Sequence, residues 1–406
     1  MKIKKHIFRK RRVIYLSAAV LLYSVTSAAS LSIKDVHSSQ LMADRWSADG
    51  SPYAQISVFY PPDEKMYTKT EACNLRESIQ ATLDEEAYKP LNENAQVWTD
   101  AYSSQISVVQ ISSSKNPVTY MPPDNGMDGF SDSEKPAAAQ SSDTANASII
   151  GVDGDFFEFH PLELISGNYI YQDQLSTNTV VLDEKAAWSI YSSSDVTGLP
   201  VYISGTEFII NGVVKSENNA ATKDVYPEAP LVYIHYGSLE AAGASETLGT
   251  YEAVLPDPVD NYAKNIVLKY YGIDSMTEKN IDKKEQALAC VIRDNTNRYS
   301  TMNLWKNVRT FDRTAVVSKP VALPYWENAA LITSARLTAL FFIRLLCAAA
   351  SLLIILAFLL RVNRERTWHL KDFTEKLMYK YTYKKRVSDY IRSYEEDNIK
   401  LQKKGN

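Results

Sequence analysis

Three acidic side chains lie close together in the middle of this 406-residue chain, at Asp153, Asp155 and Glu158. Carboxylates at such short spacing can act as a general acid and base, or supply oxygen ligands to a metal ion. Charged residues make up 23% of the chain, however, so a group of this kind is expected by chance. We therefore interpret these residues as part of a solvated loop and not as a catalytic cluster.

The histidines are scattered. Of the five, only His37, His160 and His235 fall between residues 31 and 330, and none of these lies near a cysteine in the sequence, so a zinc site is not supported. The motifs G-x-x-x-x-G-K-[ST], H-E-x-x-H and G-x-S-x-G do not occur. We assign no catalytic, cofactor-binding or metal-binding residue and no cofactor, and we predict that the chain is not an enzyme.

Tyrosine and cysteine leave alternatives open. The 26 tyrosines could form a carbohydrate or peptide surface, although packing on strand faces is the favoured interpretation. Cys73 and Cys290 could form a disulfide if both are extracytoplasmic, but they are far apart in the sequence and no motif surrounds either. Cys347 lies in an apolar run and is expected to pack there.

Two apolar runs, one near each end of the chain, set the elements that would position these residues. Residues 13–31 contain no charged side chain, and residues 337–360 contain only Arg344. Each run is close to the roughly 20 residues that a helix needs to cross a bilayer. We predict transmembrane helices at 13–31 and 334–361.

The distribution of charge predicts the orientation. Residues 1–12 carry seven Lys/Arg and no acid, and the chain after residue 360 carries 13 Lys/Arg against seven Asp/Glu. Residues 31–330 carry 22 Lys/Arg and 41 Asp/Glu, which makes this part strongly acidic. Since basic flanks stay in the cytoplasm, we predict a cell-membrane protein with a cytoplasmic basic segment 1–12, an extracytoplasmic domain 32–330 and a cytoplasmic tail 362–406. Nucleic acid is not an expected partner of so acidic a domain.

Both apolar runs allow a second interpretation. A basic start, an apolar core and small residues at 26–30 also describe a cleavable signal peptide, although the run is longer than the usual 7–15 residues of such a core, which favours an uncleaved anchor. Arg344 costs roughly 2–3 kcal/mol in a lipid-facing helix unless it reaches the interface or pairs with an acid. Anchoring at the interface is favoured over pairing with a partner helix.

The middle segment alternates strand and helix patterns, which predicts an α+β fold. Gly205 is expected at a hairpin bend. Residues 112–148 shift to Ser, Pro, Ala, Asp and Asn and predict a flexible insert. The predicted strands are 54–60, 96–111, 179–182, 201–203, 208–214, 231–236 and 251–255, and the predicted helices are 68–88, 184–191, 259–271, 277–293 and 302–311.

Residues 149–214 contain a series of spaced motifs. A Val-x-x-Asp-Phe-Phe opening precedes Leu-x-Leu-x-x-Gly, then V-V-L-x-E-x-x-A, then two Gly-bounded strand patterns. This series resembles the extracytoplasmic core domain of MacB-type, FtsX-like permeases of ABC transporters. The residues that carry it are Val152, Asp155, Phe156, Phe157, Leu162, Leu164, Gly167, Val181, Leu182, Glu184, Ala187, Gly198, Val201, Ile203, Gly205, Phe208, Ile210, Gly212 and Val213.

A looser resemblance extends over residues 13–361. It implies a large MacB-like core domain with a discontinuous α/β lower subdomain, built from early and late segments, and an inserted β-rich subdomain at 149–236. None of the matching residues has the character of a catalytic group, and we interpret them as scaffold.

The chain departs from this family in its membrane part. Such permeases usually have four membrane helices, whereas two are predicted here. The resemblance therefore implies an ABC ATPase subunit as a partner, a companion permease subunit that could supply the other helices, and a homodimer. The expected function is that of a non-catalytic, permease-like membrane component of an ABC-type transport or mechanotransmission system. The alternative is a stand-alone membrane-anchored sensing or binding protein that uses the same domain without transport.

Apolar residues recur among charges in the tail and predict an amphipathic helix. Such a helix could dock on an ATPase as a coupling element. Lipid is the favoured partner, because each Lys or Arg near an anionic surface contributes about 1 kcal/mol.

Overall fold

The structure is a computed structural model of the full chain. It describes residues 2–37, 41–46, 52–62, 67–86, 88, 96–115, 144–171, 174, 176–274, 280–309, 321–365 and 370–404. The chain divides into two compact units, of which one comprises residues 26–342 and the other residues 1–25 together with 343–406.

The described residues form helices and strands in alternation. The helices are α1 (Lys2–His37), α2 (Met42–Trp46), α3 (Lys69–Glu85), α4 (Phe156–Phe159), α5 (Glu184–Tyr191), α6 (Tyr262–Tyr270), α7 (Ile281–Ala287), α8 (Thr301–Arg309), α9 (Tyr325–Glu365) and α10 (Leu370–Lys404). The strands are β1 (Tyr53–Phe59), β2 (Thr99–Ser104), β3 (Ser107–Ser112), β4 (Thr144–Gly154), β5 (Leu164–Gly167), β6 (Thr179–Asp183), β7 (Pro200–Ile203), β8 (Thr206–Val214), β9 (Leu231–His235), β10 (Leu248–Pro256) and β11 (Val291–Asp294).

All eleven strands belong to one continuous sheet, in which β4 joins two parts. The end of β4 pairs with β2 and extends the antiparallel row β11-β1-β10-β2. Its beginning pairs with β3 on one side and, in parallel, with β9 on the other. Because β3, β7, β8, β6 and β9 are also paired in turn, these strands and β4 form a closed six-stranded ring. β5 adds to the ring at β8.

Side chains on opposite faces of the strands enter different hydrophobic clusters, as the two-residue period of a strand requires. In β4, Ile149 joins the larger cluster, which includes residues of α3, α5 and α6. Its neighbours Ile150 and Val152 join a second cluster with residues of α2 and α4. Tyr325 and Trp326, the first two residues of α9, belong to this second cluster. The start of α9 is therefore packed on one defined face of the sheet.

Most of the strand and helix predictions are confirmed. The helix predicted at 184–191 has the observed bounds, and the Asp183 side chain caps it by accepting from the Ala186 N–H group at 2.7 Å. The strand pattern at 96–111 is divided into β2 and β3. The predicted bend at Gly205 is a two-residue turn between β7 and β8, where Ser204 and Gly205 both have positive φ. Positive φ at both central residues is typical of the two-residue turns that join antiparallel strands, and glycine adopts it readily.

Two local predictions were wrong. The helix predicted at 277–293 is shorter than expected and corresponds to α7 alone. Val291–Asp294 forms the edge strand β11, which pairs with β1. The flexible insert predicted at 112–148 includes residues that belong to strands at both ends: Ser112 ends β3, and Thr144 begins β4 opposite it. Residues 116–143 of that prediction lie outside the described residues.

In the part of the chain that the structure describes, two helices are long and apolar enough to cross a membrane, at Val13–Lys34 and Tyr325–Val362. The second helix begins nine positions before the predicted 334, because its first turns pack on the sheet before the apolar run starts. The tail prediction of a helix is confirmed by α10. Among the described residues no disulfide is present, and Cys73 and Cys290 remain thiols.

Candidate functional site: the junction between the sheet and the second apolar helix

The first turn of α9 is attached to the sheet by a buried acid. Glu327 is only 2% exposed. Arg293, on β11, donates to it at 2.8 Å, and Arg298 donates to both of its carboxylate oxygens at 2.7 and 2.8 Å. Paired hydrogen bonds between guanidinium and carboxylate fix geometry as well as charge. We call Glu327, its arginines and the residues connected to them below the junction.

The hydrogen bonds continue from Glu327 into the sheet. Arg298 donates to Asn295 at 3.1 Å, and Asn295 donates to the Ser57 hydroxyl on β1 at 2.8 Å. Ser57 in turn donates to Glu252 on β10 at 2.8 Å. The two inner strands of the row β11-β1-β10-β2 are thus joined to the first turn of α9 by one continuous series of hydrogen bonds.

The chain of hydrogen bonds ends at a buried contact between a histidine and a carboxylate. His160, directly after α4, contacts Glu252 through Nε2. Burial alone would raise the pKa of Glu252, but the interaction with His160 and the hydrogen bond from Ser57 outweigh it and lower the pKa. Glu252 is therefore held as a carboxylate, and removing its partner would leave a charge buried without compensation.

Aromatic side chains pack around the polar chain. The Trp326 ring lies 4.6 Å from His160 and 5.6 Å from Phe156, measured between ring centroids. The hydroxyl of Tyr325 lies 3.2 Å from that of Tyr233 on β9. The aromatic contacts of Tyr325 and Trp326 and the ion pairs of Glu327 together bury the first turn of α9.

Further contacts follow the next turns of α9. Asn307 on α8 donates to Ser334 at 3.1 Å. Arg336 donates to the carbonyl oxygen of Ala220 at 2.7 Å. Leu304 of α8 and Leu337 share a small hydrophobic cluster. The helix is thus held by the folded domain over more than three turns, up to the start of its apolar run.

The space in the junction is too small for a substrate. A cavity of about 30 Å³ lies between His160, Glu252, Arg298 and Trp326. Such a volume holds about one water molecule, whereas small-molecule sites usually measure about 300–1,000 Å³. The residues of the junction hold the sheet and the first turn of α9 together.

The acidic group predicted as a solvated loop has a different structure. Asp153 is a buried residue of β4 that accepts hydrogen bonds from Tyr102 at 2.6 Å and from Lys69 at 3.1 Å. These partners outweigh the effect of burial and lower its pKa. Asp155 accepts from Thr99, and only Glu158 is exposed. The prediction was wrong for Asp153, because the sequence does not show that α3 and β2 supply its partners.

A second acid on the same side of the sheet binds α3. Asp100 accepts from Arg76 at 2.7 and 2.8 Å and from Tyr251 at 2.7 Å. We call Asp100, Asp153 and their partners the α3 network. It also accounts for the tyrosines Tyr102 and Tyr251, which are buried donors in the sheet. Both networks are structural ion-pair clusters, and within the described residues no group of three or more His, Cys, Asp or Glu side chains could hold a metal ion.

Sequence reasoning did not identify the junction. Its members Arg293, Arg298 and Glu327 come from three separate elements and form no motif. One signal was available: an acidic residue a few positions before a long apolar helix is costly at a membrane unless it is paired. His160 and Glu252 gave no comparable signal.

Comparisons with known proteins agree with the fold. Residues 75–269 match the family model described as the MacB-like periplasmic core domain. The periplasmic region of MacB from Actinobacillus actinomycetemcomitans is similar at 14% identity and a TM-score of 0.36, over 64% of this chain and 94% of that chain. The extracellular domain of the noncanonic ABC-type transporter YknZ from Gram-positive bacteria is similar at 12% identity and a TM-score of 0.31, over 54% and 96%. No curated protein matches the chain.

The domain matched is of the kind found in ABC-transporter-type, permease-like proteins. Its matched residues include α3 from Leu75 onward, the closed ring and β10, and two apolar helices flank it in the chain. This chain therefore carries a MacB-like periplasmic core domain at residues 75–269.

Proposed function

We propose that the chain is a non-catalytic, permease-like component of an ABC-type transport or mechanotransmission system. In this function the core domain lies outside the cell membrane, the two apolar helices cross it, and both termini are cytoplasmic. Movement passes between the cytoplasmic side and the core domain through α9. The chain itself performs no chemistry.

The observation that carries the proposal is the burial of Glu327 between Arg293 and Arg298. A flexible tether would need no such pairing. Here, displacement of the first turn of α9 would separate charges that water cannot reach, which costs several kcal/mol. The helix and the sheet are therefore expected to move together, as a mechanical connection requires.

The proposal implies partners. An ABC ATPase subunit would supply the energy, a companion permease subunit could complete the membrane part, and a second copy of the chain could form a homodimer. The basic tail helix α10 either docks on the ATPase or lies on anionic lipid. Its exposed apolar side chains include Leu377, Tyr381 and Ile391, which suit either surface.

The test is purification of the tagged full chain from mild detergent, with mass spectrometry of the proteins that accompany it. An ABC ATPase in stoichiometric yield supports the proposal. If the chain is recovered alone, or only with extracytoplasmic proteins, the transport function is wrong, and the stand-alone sensing or binding function replaces it.

A variant tests the mechanical part. Glu327→Gln removes the charge that holds both arginines, so the complex should retain the ATPase but lose most of the coupling between ATP hydrolysis and changes in the core domain. Lys269→Gln, at an exposed lysine of α6, serves as the matched control. Equal coupling in the two variants would contradict a role for the junction.

A further inference from the structure

A groove much larger than the junction cavity lies between α5 and the chain that follows β8. Its volume is about 620 Å³, within the usual range for small-ligand sites. Trp188 of α5 stands at this groove with 53% of its surface exposed. Tryptophan side chains are highly buried on average, so an exposed indole beside a groove of this size is unusual. We call this site the Trp188 groove.

The lining of the Trp188 groove carries both signs of charge in equal number. The basic residues are Lys185, Lys215 and Lys223, and the acidic residues are Glu184, Glu217 and Glu228. The Lys185 ammonium lies 5.2 Å from the centre of the Tyr226 ring, and Lys215 donates to Glu163 at 2.9 Å. Lys223 and Glu228 are exposed. A ligand that complements this lining carries an anion and a cation a few atoms apart.

Contacts with α9 fix the level of the groove relative to the apolar run. The Tyr226 ring lies 5.0 Å from that of Tyr325. Three turns further along α9, Arg336 donates to the carbonyl oxygen of Ala220, and the apolar run of α9 begins at the next residue. The segment from Ala220 to Tyr226, which includes Lys223, thus lies beside the first three turns of α9, and its Ala220 end reaches the start of the apolar run.

Helix α8 marks the same level independently. Its Leu304 packs with Leu337, while Met302 and Trp305 are exposed. The guanidinium carbon of Arg309 lies 5.0 Å from the centre of the Trp305 ring. Exposed tryptophan and arginine at one level are typical of the headgroup region of a membrane. Both observations place the Ala220 end of this segment, next to Lys223 of the groove, where lipid headgroups would be.

We propose that the Trp188 groove binds the headgroup of an aminophospholipid, in which a phosphodiester anion is joined to a primary ammonium by two carbons. The phosphate would lie at Lys223 and Lys185, and the ammonium at the carboxylates of Glu184 and Glu228. Trp188 would lie against the glycerol end of the lipid. The inference rests on the proposed membrane placement of the core domain.

Other headgroups complement the groove less well. A glycerol headgroup has a phosphate but no cation, so the glutamates would lack a partner of opposite charge. A choline headgroup has a cation without N–H groups and cannot donate hydrogen bonds to carboxylates. The selectivity expected is therefore for ethanolamine over glycerol and choline headgroups.

The groove is also connected to α9. Burial raises the pKa of Glu217, and the neighbouring Tyr325, the first residue of α9, acts in the opposite direction. A cation bound beside Glu217 would favour its charged form and so change its interaction with Tyr325. Lipid bound in the groove can therefore affect the same helix turn that the junction holds.

The experiment uses the full chain in nanodiscs of equal parts phosphatidylethanolamine, phosphatidylglycerol and phosphatidylcholine, followed by release and native mass spectrometry. We expect phosphatidylethanolamine to be retained several-fold more than the other two. A carbodiimide, which joins the lipid amine to a carboxylate, should link this lipid to peptides that contain Glu184 or Glu228.

Variants separate the groove from general lipid contact. Lys223→Gln should lower retention of phosphatidylethanolamine several-fold, whereas Lys269→Gln on α6 should leave it unchanged. Equal retention of the three lipids, or an unchanged Lys223→Gln variant, would overturn the inference, as would retention of soluble phosphoethanolamine or peptide in place of lipid. A chain that is extracted without detergent would instead contradict the membrane placement, so the two failures are distinguishable.

Discussion

The junction and the α3 network are both built from buried carboxylates, but they connect different things. In the α3 network, Asp100 and Asp153 bind Arg76 and Lys69 of α3, so both sides of each ion pair belong to the core domain. In the junction, Glu327 lies on α9 and its arginines lie at the end of the sheet. The first network stabilises the domain internally, whereas the second attaches the first turn of α9 to the sheet.

The charged side chains of the two networks also differ in their exposure to water. The side chains of Lys69 and Arg76 are 47% and 29% exposed, so water shares in solvating them. Those of Arg298 and Glu327 are 12% and 3% exposed. An ion pair of this kind is costly to open, because neither charge can be solvated in place. We therefore expect removal of an ion-pair partner to lower the free energy of unfolding more in the junction than in the α3 network. The resulting increase in hydrogen exchange should be at the start of α9 for the junction and in α3 for the α3 network.

The largest effect is expected for Glu327→Gln. It leaves Arg293 and Arg298 without their carboxylate and should lower the free energy of unfolding by about 3–5 kcal/mol. Denaturant unfolding of the detergent-solubilised chain measures this. Hydrogen exchange should become faster in the first turns of α9 while α3 keeps its protection. Faster exchange in α3 as well would contradict the separation of the two networks.

Arg76→Met is expected to have the second largest effect. Asp100 would keep only Tyr251 as a side-chain donor, and losing hydrogen bonds to a charged group costs about 1.5–3 kcal/mol. The same unfolding experiment applies, with faster exchange expected in α3 and unchanged exchange at the start of α9. Increased exchange at Tyr325 and its neighbours would show that the α3 network also reaches the helix.

Glu252 is expected to make the stability of the folded chain depend on pH. The pKa of Glu252 is lower in the folded chain than its ordinary value, so it contributes stability above the ordinary carboxyl pKa of about 4, which is lost as the pH falls through the lowered value. Glu252→Gln should therefore flatten the decline of stability in acid by at most about 1.4 kcal/mol per pH unit. Identical slopes in the variant and the parent would mean that Glu252 is not held as an anion by His160.

Tyr102→Phe should have the smallest effect. Asp153 loses one donor but keeps Lys69 and the Gly154 N–H group, so a loss of about 1.5 kcal/mol is expected, the lower end for one hydrogen bond to a charged group. Thermal unfolding measures it, with Tyr202→Phe as a control at a half-buried tyrosine of β7 that donates to Glu207. A loss as large as that of Arg76→Met would show that the hydroxyl positions Asp153 for Lys69.

Local elements could be predicted from the sequence, and the networks could not. Helix α5 was predicted with its observed bounds because its cap and apolar spacing are contiguous, beginning at Asp183. Strand β11 was assigned to a helix because its structure depends on pairing with β1, more than 200 positions earlier. The junction depends on such distant pairings throughout: Ser57, Glu252 and Glu327 meet only when the sheet is complete.

The paired ends of β3 and β4 are a suitable place to insert another domain. Ser112 and Thr144 are direct partners in the β3–β4 pair, so the chain leaves and re-enters the sheet at neighbouring positions. Changing the length of a link whose ends are already held together costs little, since closure entropy grows only with the logarithm of length. A fluorescent protein or affinity domain inserted between residues 116 and 143 should thus leave the fold intact and report on the protein in living cells.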